Sequence, residues 1–237
     1  MAADQGLAEA QCFLGIGYAN GEGIPQNYGE AAKYFKLAAD QGFAEAQHYL
    51  GICYVNGEGV PQNYREAAKC IKMAADQGFA EAQLYLGDCY AHGKGVSKNY
   101  EEAEKYYKKV LEQLPDNTYV QTTLGWLYYE KKEYSSAMIY FQKAANAGDA
   151  EGYNGMAYLF EYGYGIKKDP NEAMSFIDIA ISLKKNDVRY LDTKGEFYLN
   201  HGDFDEAKQI WNQCMSIDKE FDKLESTFVT EMKKRLR

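Results

Sequence analysis

The stretch that decides the fold covers residues 38–59 and reads AADQGFAEAQHYLGICYVNGEG. The letters AADQG also stand at residues 2–6 and 74–78, each displaced by 36 residues. Gly15, Gly51 and Gly87 keep the same step, as do three tyrosines. A self-similar period of about 20–50 residues is typical of repeat architectures. The repeats therefore indicate the fold class before any motif is interpreted as chemistry.

Each copy has the pattern of two antiparallel helices joined by a glycine-rich loop. In the first copy, residues at helical spacing predict a helix over 7–20, which the glycines of the loop end. Asn27, with Glu30 three residues later, is a helix-start signal and predicts a second helix over 28–40. By the same signals, the next two copies predict helices over 43–56, 64–77, 79–92 and 100–114.

The second copy has the motifs Ala-Glu-Ala-Gln, Leu-Gly-x-x-Tyr, Asn-Gly-x-Gly-Val and Asn-Tyr-x-Glu-Ala-Ala, and the first and third copies match them nearly perfectly. This pattern resembles the Sel1-like repeat family. After Pro115 the motif Leu124-Gly125-Trp126-Leu127-Tyr128 keeps Leu-Gly-x-x-Tyr without the long loop, and so resembles a plain tetratricopeptide repeat. A fifth repeat restores the long loop, with Asp169-Pro170 at the predicted start of its second helix. The sixth is again tetratricopeptide-like.

We therefore predict an all-α fold: an α-solenoid superhelix of antiparallel helix pairs, with Sel1-like and tetratricopeptide-like repeats and a C-terminal capping helix. The chain is predicted to be one repeat domain, with units at about 1–41, 42–77, 78–115, 116–147, 148–185 and 186–216. The capping helix is predicted over 217–237, because one stripe there is apolar: Ile217, Phe221, Leu224, Phe228, Met232 and Leu236.

Small residues recur where two helices must approach closely. The positions are Gly51, Gly87, Gly125, Ala157 and Gly195. Packed helix axes lie about 8–10 Å apart when the contact residues are small. We interpret these positions as fold residues and expect a bulky replacement at Gly51 to cost about 1–3 kcal/mol.

Composition limits the class of partner. The 237 residues carry a net charge of −9, which argues against nucleic acid or an anionic membrane as the main partner. The five cysteines are odd in number and irregularly placed, so we expect reduced thiols rather than a disulfide framework. No apolar run approaches a membrane span and no signal-peptide pattern is found. The sequence thus predicts a cytoplasmic protein.

The chemical motifs give little support for catalysis. Gly57-Glu58-Gly59 lacks the Lys and Ser/Thr of a phosphate-binding loop. Ser182-x-x-Lys185 matches one motif of serine β-lactamases, and some cysteine-rich relatives of the resembling family are linked to β-lactam binding. The companion motifs of those enzymes are missing. The histidines His48, His92 and His201 lie in different repeats, so no metal site, cofactor or catalytic residue is predicted.

In the resembling families, the first helix of each repeat lines the inner wall of the superhelix. Counting from the Leu-Gly pair, the residues predicted to face a partner are His48, Tyr49, Ile52, Asn56, Leu84, Tyr85, Asp88, His92, Thr122, Trp126, Tyr129, Asn154, Tyr158 and Tyr162. The same positions are held by Cys12, Phe13, Ile16 and Asn20 in the first repeat and by Asp192, Glu196 and Asn200 in the sixth. Aromatic residues with polar tips suit peptide binding. The alternative is that some of them pack between neighbouring helices.

The function predicted from these features is a non-catalytic protein–protein interaction scaffold that binds a partner segment in the concave face. The net charge favours a protein or peptide partner with basic and apolar residues. Two alternatives stay open. One is a self-associating repeat array that uses residues about 7–40, where Leu7, Ala10 and Leu14 lack a neighbour. The other is a β-lactam-binding or β-lactam-hydrolysing enzyme.

Overall fold

The computed structural model describes residues 6–224 and 226–236. In these residues the regular structure consists of thirteen α-helices and one 3-10 helix, Phe221–Lys223. The α-helices are α1 (Ala8–Asn20), α2 (Tyr28–Asp40), α3 (Ala44–Asn56), α4 (Tyr64–Asp76), α5 (Ala80–His92), α6 (Tyr100–Gln113), α7 (Thr118–Glu130), α8 (Tyr134–Asn146), α9 (Ala150–Tyr162), α10 (Pro170–Leu183), α11 (Val188–His201), α12 (Phe204–Ile217) and α13 (Thr227–Leu236). The predicted all-α repeat fold, with twelve repeat helices and a thirteenth helix, is confirmed.

The chain divides into two compact bodies, Met1–Pro115 and Asp116–Arg237. The N-terminal body contains α1–α6 and the C-terminal body contains α7–α13. The division falls where the sequence predicts a change of repeat type. That all six repeats form one domain stays a prediction, and the predicted start of the first repeat at residues 1–5 lies outside the described residues.

Helix starts and ends follow local side-chain chemistry. The Oδ1 atom of Asn27 accepts a hydrogen bond from the backbone N–H of Glu30 at 3.1 Å, and Asn63, Asn99 and Asp169 cap their helices in the same way. Each satisfies N–H groups that have no partner within the helix. The predicted caps are therefore confirmed, and the predicted helix bounds in the N-terminal body agree to within one residue.

The two helices of each of the first four repeats meet at a glycine. A Cβ atom at residue 51 would lie 2.4 Å from the Cγ1 atom of Ile71, and one at residue 87 would lie 2.6 Å from the ring of Tyr107. Gly125 and Phe141 form the same contact in the C-terminal body, at 2.4 Å. These distances are shorter than any ordinary carbon–carbon contact. The interpretation of these glycines as fold residues is confirmed.

The glycine-rich loop contacts the preceding repeat. Gly59 has a φ of +74°, and a Cβ atom there would lie 2.0 Å from the carbonyl oxygen of Tyr28 at the start of α2. Gly95 and Tyr64 repeat this contact 36 residues later, again at 2.0 Å. The loop can approach the helix start so closely only because glycine has no side chain. Each long loop is thereby held against the repeat before it.

In the C-terminal body, sequential helices pack against one another from α7 to α12. The first helices of its repeats also touch directly, α7 with α9 and α9 with α11. These three helices therefore share one face, which is called the α7–α9–α11 face below. Helix α13 packs against α11, where Phe228 lies against Gly195.

The closing helix is shorter than the predicted span of 217–237. Ile217 ends α12, the 3-10 helix Phe221–Lys223 follows, and α13 begins only at Thr227. Phe221, Phe228 and Met232 of the predicted stripe are fully buried, whereas Ile217 and Leu224 are 37% and 41% exposed. The prediction was wrong for Ile217 and Leu224 because the turn interrupts the helical spacing. The side chain of Leu236 lies outside the described residues.

Candidate functional site

In the N-terminal body, part of the predicted inner wall packs between helices. The ring of Tyr49 stacks on Phe35 of the preceding repeat at 5.1 Å. The ring of His48 contacts Phe79 of the following repeat at 5.4 Å, and burial lowers its pKa. Tyr85 packs against the core of its repeat, and burial raises its pKa to about 12. The alternative interpretation, packing between neighbouring helices, therefore describes these three rings.

The remaining predicted positions of this body are less enclosed. Ile52 and Leu84 are half-buried, and Asn56 and His92 are exposed. The side chain of Asn56 donates to Glu58, and Asp88 accepts a 2.7 Å hydrogen bond from the hydroxyl of Tyr107. The Nδ1 atom of His92 lies 2.9 Å from the backbone oxygen of Asp88. These residues mark no enclosed site.

A hydrogen bond between two glutamines occurs once in each repeat of the N-terminal body. Gln41 donates to Gln11 at 2.7 Å, Gln77 to Gln47 at 2.8 Å and Gln113 to Gln83 at 2.9 Å. Each bond joins the end of one repeat's second helix to the buried glutamine of its first helix. Because the same bond occurs three times, it belongs to the fold.

In the C-terminal body, three rings of the α7–α9–α11 face cluster. Trp126 contacts Tyr129 and Tyr158 at ring-centroid distances of 5.5 Å each, and Tyr129 lies 6.4 Å from Tyr158. All three ring pairs meet nearly at right angles, an arrangement that the charge distribution of aromatic rings favours. Trp126 also contacts the buried Phe141 at 4.9 Å. The sequence-predicted aromatic residues are thus brought together here.

Glu151 connects this ring cluster to the polar part of the face. Its carboxylate accepts hydrogen bonds from Trp126 Nε1 at 2.8 Å, from Asn154 Nδ2 at 3.2 Å and from the hydroxyl of Tyr190 at 3.1 Å. Burial and the nearby Glu151 carboxylate raise the pKa of Tyr190, so its hydroxyl stays a donor. Glu151 was missing from the predicted site because it occupies the ordinary glutamate position of the Ala-Glu-Ala motif.

Asn154 is 7% exposed, and its Oδ1 atom is buried without a hydrogen-bond partner. A buried acceptor that lacks a donor costs about 1–3 kcal/mol, so such atoms are rare in folded proteins. The neighbouring Nδ2 atom donates to Glu151, which fixes the orientation of the amide. This amide thus leaves one hydrogen bond for a donor that the described residues do not supply.

Around these side chains lies a groove of about 470 Å³. Its lining residues are Trp126, Tyr129, Glu151, Asn154, Tyr158, Arg189, Asp192, Thr193, Leu224 and Ser226. Thr122 was also predicted to face a partner, but it is buried and its hydroxyl donates to the backbone oxygen of Tyr119 at 3.0 Å. The groove has the size of many ligand sites, about 300–1,000 Å³.

Asp192 lies in the groove with an unusual carboxyl group. Desolvation by burial raises its pKa to about 6, with a smaller contribution from the nearby Glu196. The hydroxyl of Ser226 donates to it at 2.6 Å and partly offsets this effect. At neutral pH the structure therefore holds a carboxylate that is poorly solvated, which a cation in the groove would stabilise.

Tyr162 lies one turn further along α9 from Tyr158, in a second polar cluster. Its hydroxyl donates to Glu196 and accepts from Asn200, and burial raises its pKa. The neighbouring Glu161 is fully buried, and its carboxylate accepts a hydrogen bond from Asn200 at 3.3 Å. Its Oε2 atom lies 3.0 Å from Nε2 of His201. Because these polar groups satisfy one another, the cluster fixes α9 against α11.

The residues described show no catalytic arrangement. The hydroxyl of Ser182 donates to Ile179 of its own helix at 2.7 Å. No group of His, Cys, Asp and Glu within residues 6–224 and 226–236 has the geometry of a metal site. The five cysteines are free thiols, four of them buried, and burial raises their pKa values, which makes them poor nucleophiles.

Comparison with known families agrees with the repeat pattern. The family model described as Sel1 repeat matches residues 8–43, 44–79, 80–113 and 150–184. The chain belongs to the Sel1 repeat family. Two models described as tetratricopeptide repeat match this Sel1 repeat protein over residues 97–157 and 188–221. Repeats of these families are generally protein-interaction scaffolds. No curated protein matches the chain significantly.

Solved structures similar to this Sel1 repeat protein include a protective antigen of uropathogenic Escherichia coli strains that displays an SLR fold. That match has 28% identity and a TM-score of 0.73, and covers 91% of this chain but only 47% of the antigen. A Sel1 repeat protein from Oxalobacter formigenes matches with 25% identity and a TM-score of 0.70, covering 89% of this chain and 86% of the other. A structure of the APC/C hetero-tetramer Cut9–Hcn1, at 17% identity and a TM-score of 0.65, covers 98% of this chain and 43% of the other, and shows the fold alone.

One further observation concerns membranes. None of the helices in the described part of the Sel1 repeat protein combines the length and the apolar character that a membrane crossing requires.

Proposed function

We propose that this protein is a non-catalytic scaffold that binds an extended protein segment in the groove of the α7–α9–α11 face. The observation that carries the proposal is the groove itself, where Trp126, Tyr129 and Tyr158 stand beside the unpartnered amide oxygen of Asn154. Large aromatic residues give binding sites much apolar area at a low cost in conformational entropy. The free amide oxygen of Asn154 can accept a hydrogen bond from a backbone N–H group of such a segment.

Charge supports a partner with basic and apolar residues. The chain has a net charge of −9, and Glu151 and Asp192 both line the groove. Complementary charge mainly increases the association rate and excludes the wrong partners. The rings would hold apolar anchors of the segment, and the carboxylates would face its basic side chains. The remaining predicted positions in the N-terminal body, Asn56 and His92 among them, stay predictions. The cytoplasmic location stays a prediction.

The proposal is tested with a phage-displayed library of random 12-residue peptides, panned on the full chain at pH 7.5. Synthetic copies of the recovered peptides are then titrated against Trp126→Ala and Tyr158→Ala. We expect each change to weaken binding by about 2–4 kcal/mol, because truncated aromatic anchors have this effect at binding hot spots. Tyr140→Ala is the matched control, since Tyr140 stacks on Tyr128 of α7 and does not line the groove.

A second readout does not depend on truncation. The chain has two tryptophans, and Trp211 packs on Phe221 and Phe228 of the closing segment. In a Trp211→Phe background, Trp126 is the only tryptophan, so a peptide bound in the groove must shift its emission. Peptides that leave this emission unchanged and bind Trp126→Ala normally would contradict the proposal. If Trp126→Ala and Tyr158→Ala both unfold the protein while the emission stays unchanged, these rings are core residues only.

A second candidate function is weak self-association through the N-terminal repeat. Leu7, which precedes α1, and Phe13 on α1 are 57% and 62% exposed. Their equivalents 36 residues later, Phe43 and Tyr49, pack on the preceding repeat. Exposed apolar patches of this kind favour association. Sedimentation velocity over a concentration series tests it: a Phe13→Glu variant should lose any concentration-dependent mass that the wild type shows, and a wild type that stays monomeric contradicts it.

The β-lactam alternative has no supporting contact. The hydroxyl of Ser182 is occupied by its own helix, as described above. Nitrocefin turnover remains its direct test, and we expect none.

A further inference from the structure

The groove of the α7–α9–α11 face has more hydrogen-bond acceptors than donors. Two of the donors that line it have partners within the protein: Trp126 Nε1 donates to Glu151, and Ser226 Oγ donates to Asp192. The acceptors exceed these donors, since each carboxylate can accept several hydrogen bonds and the Oδ1 atom of Asn154 accepts none. The groove therefore favours a ligand that donates hydrogen bonds.

The charge of the groove leads to the same class of ligand. Glu151 and Asp192 bring two carboxylates, and Arg189 brings one guanidinium. That guanidinium is engaged by Asp187, which accepts from Nε at 3.0 Å and from an Nη atom at 2.7 Å. Its charge is thus already balanced by a carboxylate outside the groove lining. The remaining charge is negative and calls for a cation.

The rings distinguish between the two common cations of proteins. A guanidinium is planar, stacks on aromatic faces, and presents five N–H donors in a fixed fork. It can contact Trp126 or Tyr158 with its face while its edge donates to the carboxylate of Asp192 and the amide oxygen of Asn154. The ammonium of lysine is a compact, strongly hydrated charge, which suits an open carboxylate better than a half-buried one.

On these grounds, and resting on the proposed function above, we propose that the groove is an arginine subsite, which receives one arginine side chain of the partner segment. The rings of Trp126 and Tyr158 contact the face of its guanidinium, and the acceptors of Asn154 and Asp192 bind its edge. The partner segment is thus required to have a guanidinium at one position, in addition to its general basic character.

The test uses the peptides recovered from the 12-residue library on the full chain. We expect an arginine at a fixed position in the groove-dependent peptides. Replacing it by citrulline, which keeps the shape but removes the charge, should weaken binding about tenfold or more, because hydrogen bonds that involve charge are about twice as strong as neutral ones. Replacement by lysine should weaken binding by a similar factor. These substitutions leave the protein unchanged, so misfolding cannot produce the result.

A protein variant then locates the effect. Asp192→Asn keeps an acceptor for the hydroxyl of Ser226 but removes the charge, and should reduce the preference for arginine over citrulline to about two-fold or less. Asp205→Asn is the matched control: it removes the same charge from an exposed position on α12 outside the groove. Circular dichroism confirms the fold of both variants, and the peptide substitutions decide the question if one of them unfolds.

Acid should weaken the same preference. Asp192 has a pKa of about 6 and is charged at pH 7.5 but largely protonated at pH 5.5. The groups that face it are Glu196 and Arg189 on α11, Tyr158 on α9, Cys214 on α12 and Ser226 before α13. The Tyr158 hydroxyl and the Cys214 thiol stay neutral in this range, because burial raises both pKa values. The arginine preference should therefore fall between pH 7.5 and 5.5 in the wild type but not in Asp192→Asn.

The outcomes separate this inference from the function on which it rests. Peptides that lose affinity in Trp126→Ala but bind equally with arginine and citrulline overturn the arginine subsite and leave the scaffold proposal intact. Equal binding of lysine and arginine overturns the choice of guanidinium. If the library gives no peptide whose binding depends on the groove, both proposals fail.

Discussion

The N-terminal and C-terminal bodies use polar contacts in opposite ways. In the N-terminal body, one glutamine–glutamine bond occurs three times, at 2.7, 2.8 and 2.9 Å, between residues 30 apart. In the C-terminal body, the contacts of Glu151, Glu161 and Glu196 are each different and each occurs once. A contact that every repeat makes is required by the repeat. A contact made once has another reason.

The aromatic residues of the two bodies also differ in their surroundings. Aromatic residues of the N-terminal body such as Tyr49 and Tyr85 pack against the hydrophobic core between neighbouring helices. The rings at Trp126, Tyr129 and Tyr158 surround a groove instead.

The largest expected effect tests the repeated contact of the N-terminal body. Gly59→Ala would place a methyl group 2.0 Å from the carbonyl oxygen of Tyr28, in addition to the strain of a positive φ. We expect the free energy of unfolding to fall by about 3 kcal/mol. Urea denaturation followed by circular dichroism measures it.

Gly42→Ala is the control for backbone strain alone. Its φ is +87°, but nothing lies within 4 Å of an added Cβ atom. The expected cost is about 1 kcal/mol, the ordinary penalty of a left-handed conformation. If both variants lose the same free energy, the loop contact with the preceding repeat contributes nothing.

A smaller effect of opposite sign is expected at Asp192 in the C-terminal body. Its pKa is raised from 3.8 to about 6, so the folded state holds this proton more tightly than the unfolded chain. The carboxyl group therefore destabilises the fold above pH 6, and this cost disappears as the pH falls from 6 towards 4. Asp192→Asn should raise the free energy of unfolding at pH 7.5 by about 1–2 kcal/mol.

The pH dependence is the critical part of this prediction. The gain from Asp192→Asn should shrink markedly at pH 4.5, where the wild-type carboxyl group is neutral in the folded state. Denaturant titrations of wild type and variant at both pH values show it. A variant that is less stable than the wild type at pH 7.5 would mean that the charge of Asp192 supports the fold, contrary to a site kept for a cation.

The smallest expected effect concerns the glutamine bonds. Gln77→Ala leaves the Oε1 atom of the buried Gln47 without its donor and should cost about 1 kcal/mol. Gln41→Ala removes the equivalent bond to Gln11 one repeat earlier. Thermal denaturation should give equal losses for the two variants, because the contacts are equivalent. Unequal losses would show that the repeats differ energetically despite their common sequence.

Most of the fold could be predicted from the sequence, because local signals repeat. Asn27 and its equivalents start helices, and the glycines at positions such as Gly57 end them, so the helix bounds follow with little error. The closing segment was predicted less well. Helical spacing continues from Ile217 to Met232 in the sequence, and no proline or glycine announces the turn before α13.

The candidate site could be predicted only in part. Trp126, Tyr129 and Tyr158 were found by counting from the Leu-Gly pair. Glu151 was not found, because its place in the motif is the same as that of Glu45 in the second repeat, so the sequence does not distinguish the two. Ser226 and Leu224 reach the groove from the closing segment, far along the chain from α7. The period of the repeats predicts contacts between neighbouring repeats. It does not predict contacts made by Leu224 and Ser226, which follow the last repeat.

The contact between Gly59 and Tyr28 has a consequence for how such a chain changes length. Gly95 and Tyr64 make the same contact. The loop of the second repeat therefore packs on the first repeat, and the loop of the third repeat packs in the same way on the second. Removing the 36 residues 43–78 would join two surfaces that already fit, and we expect the N-terminal body to shorten without a new interface. The same excision in the C-terminal body would destroy contacts that occur once. We therefore expect the N-terminal body to tolerate duplication or deletion of a whole repeat, and the C-terminal body not to tolerate it.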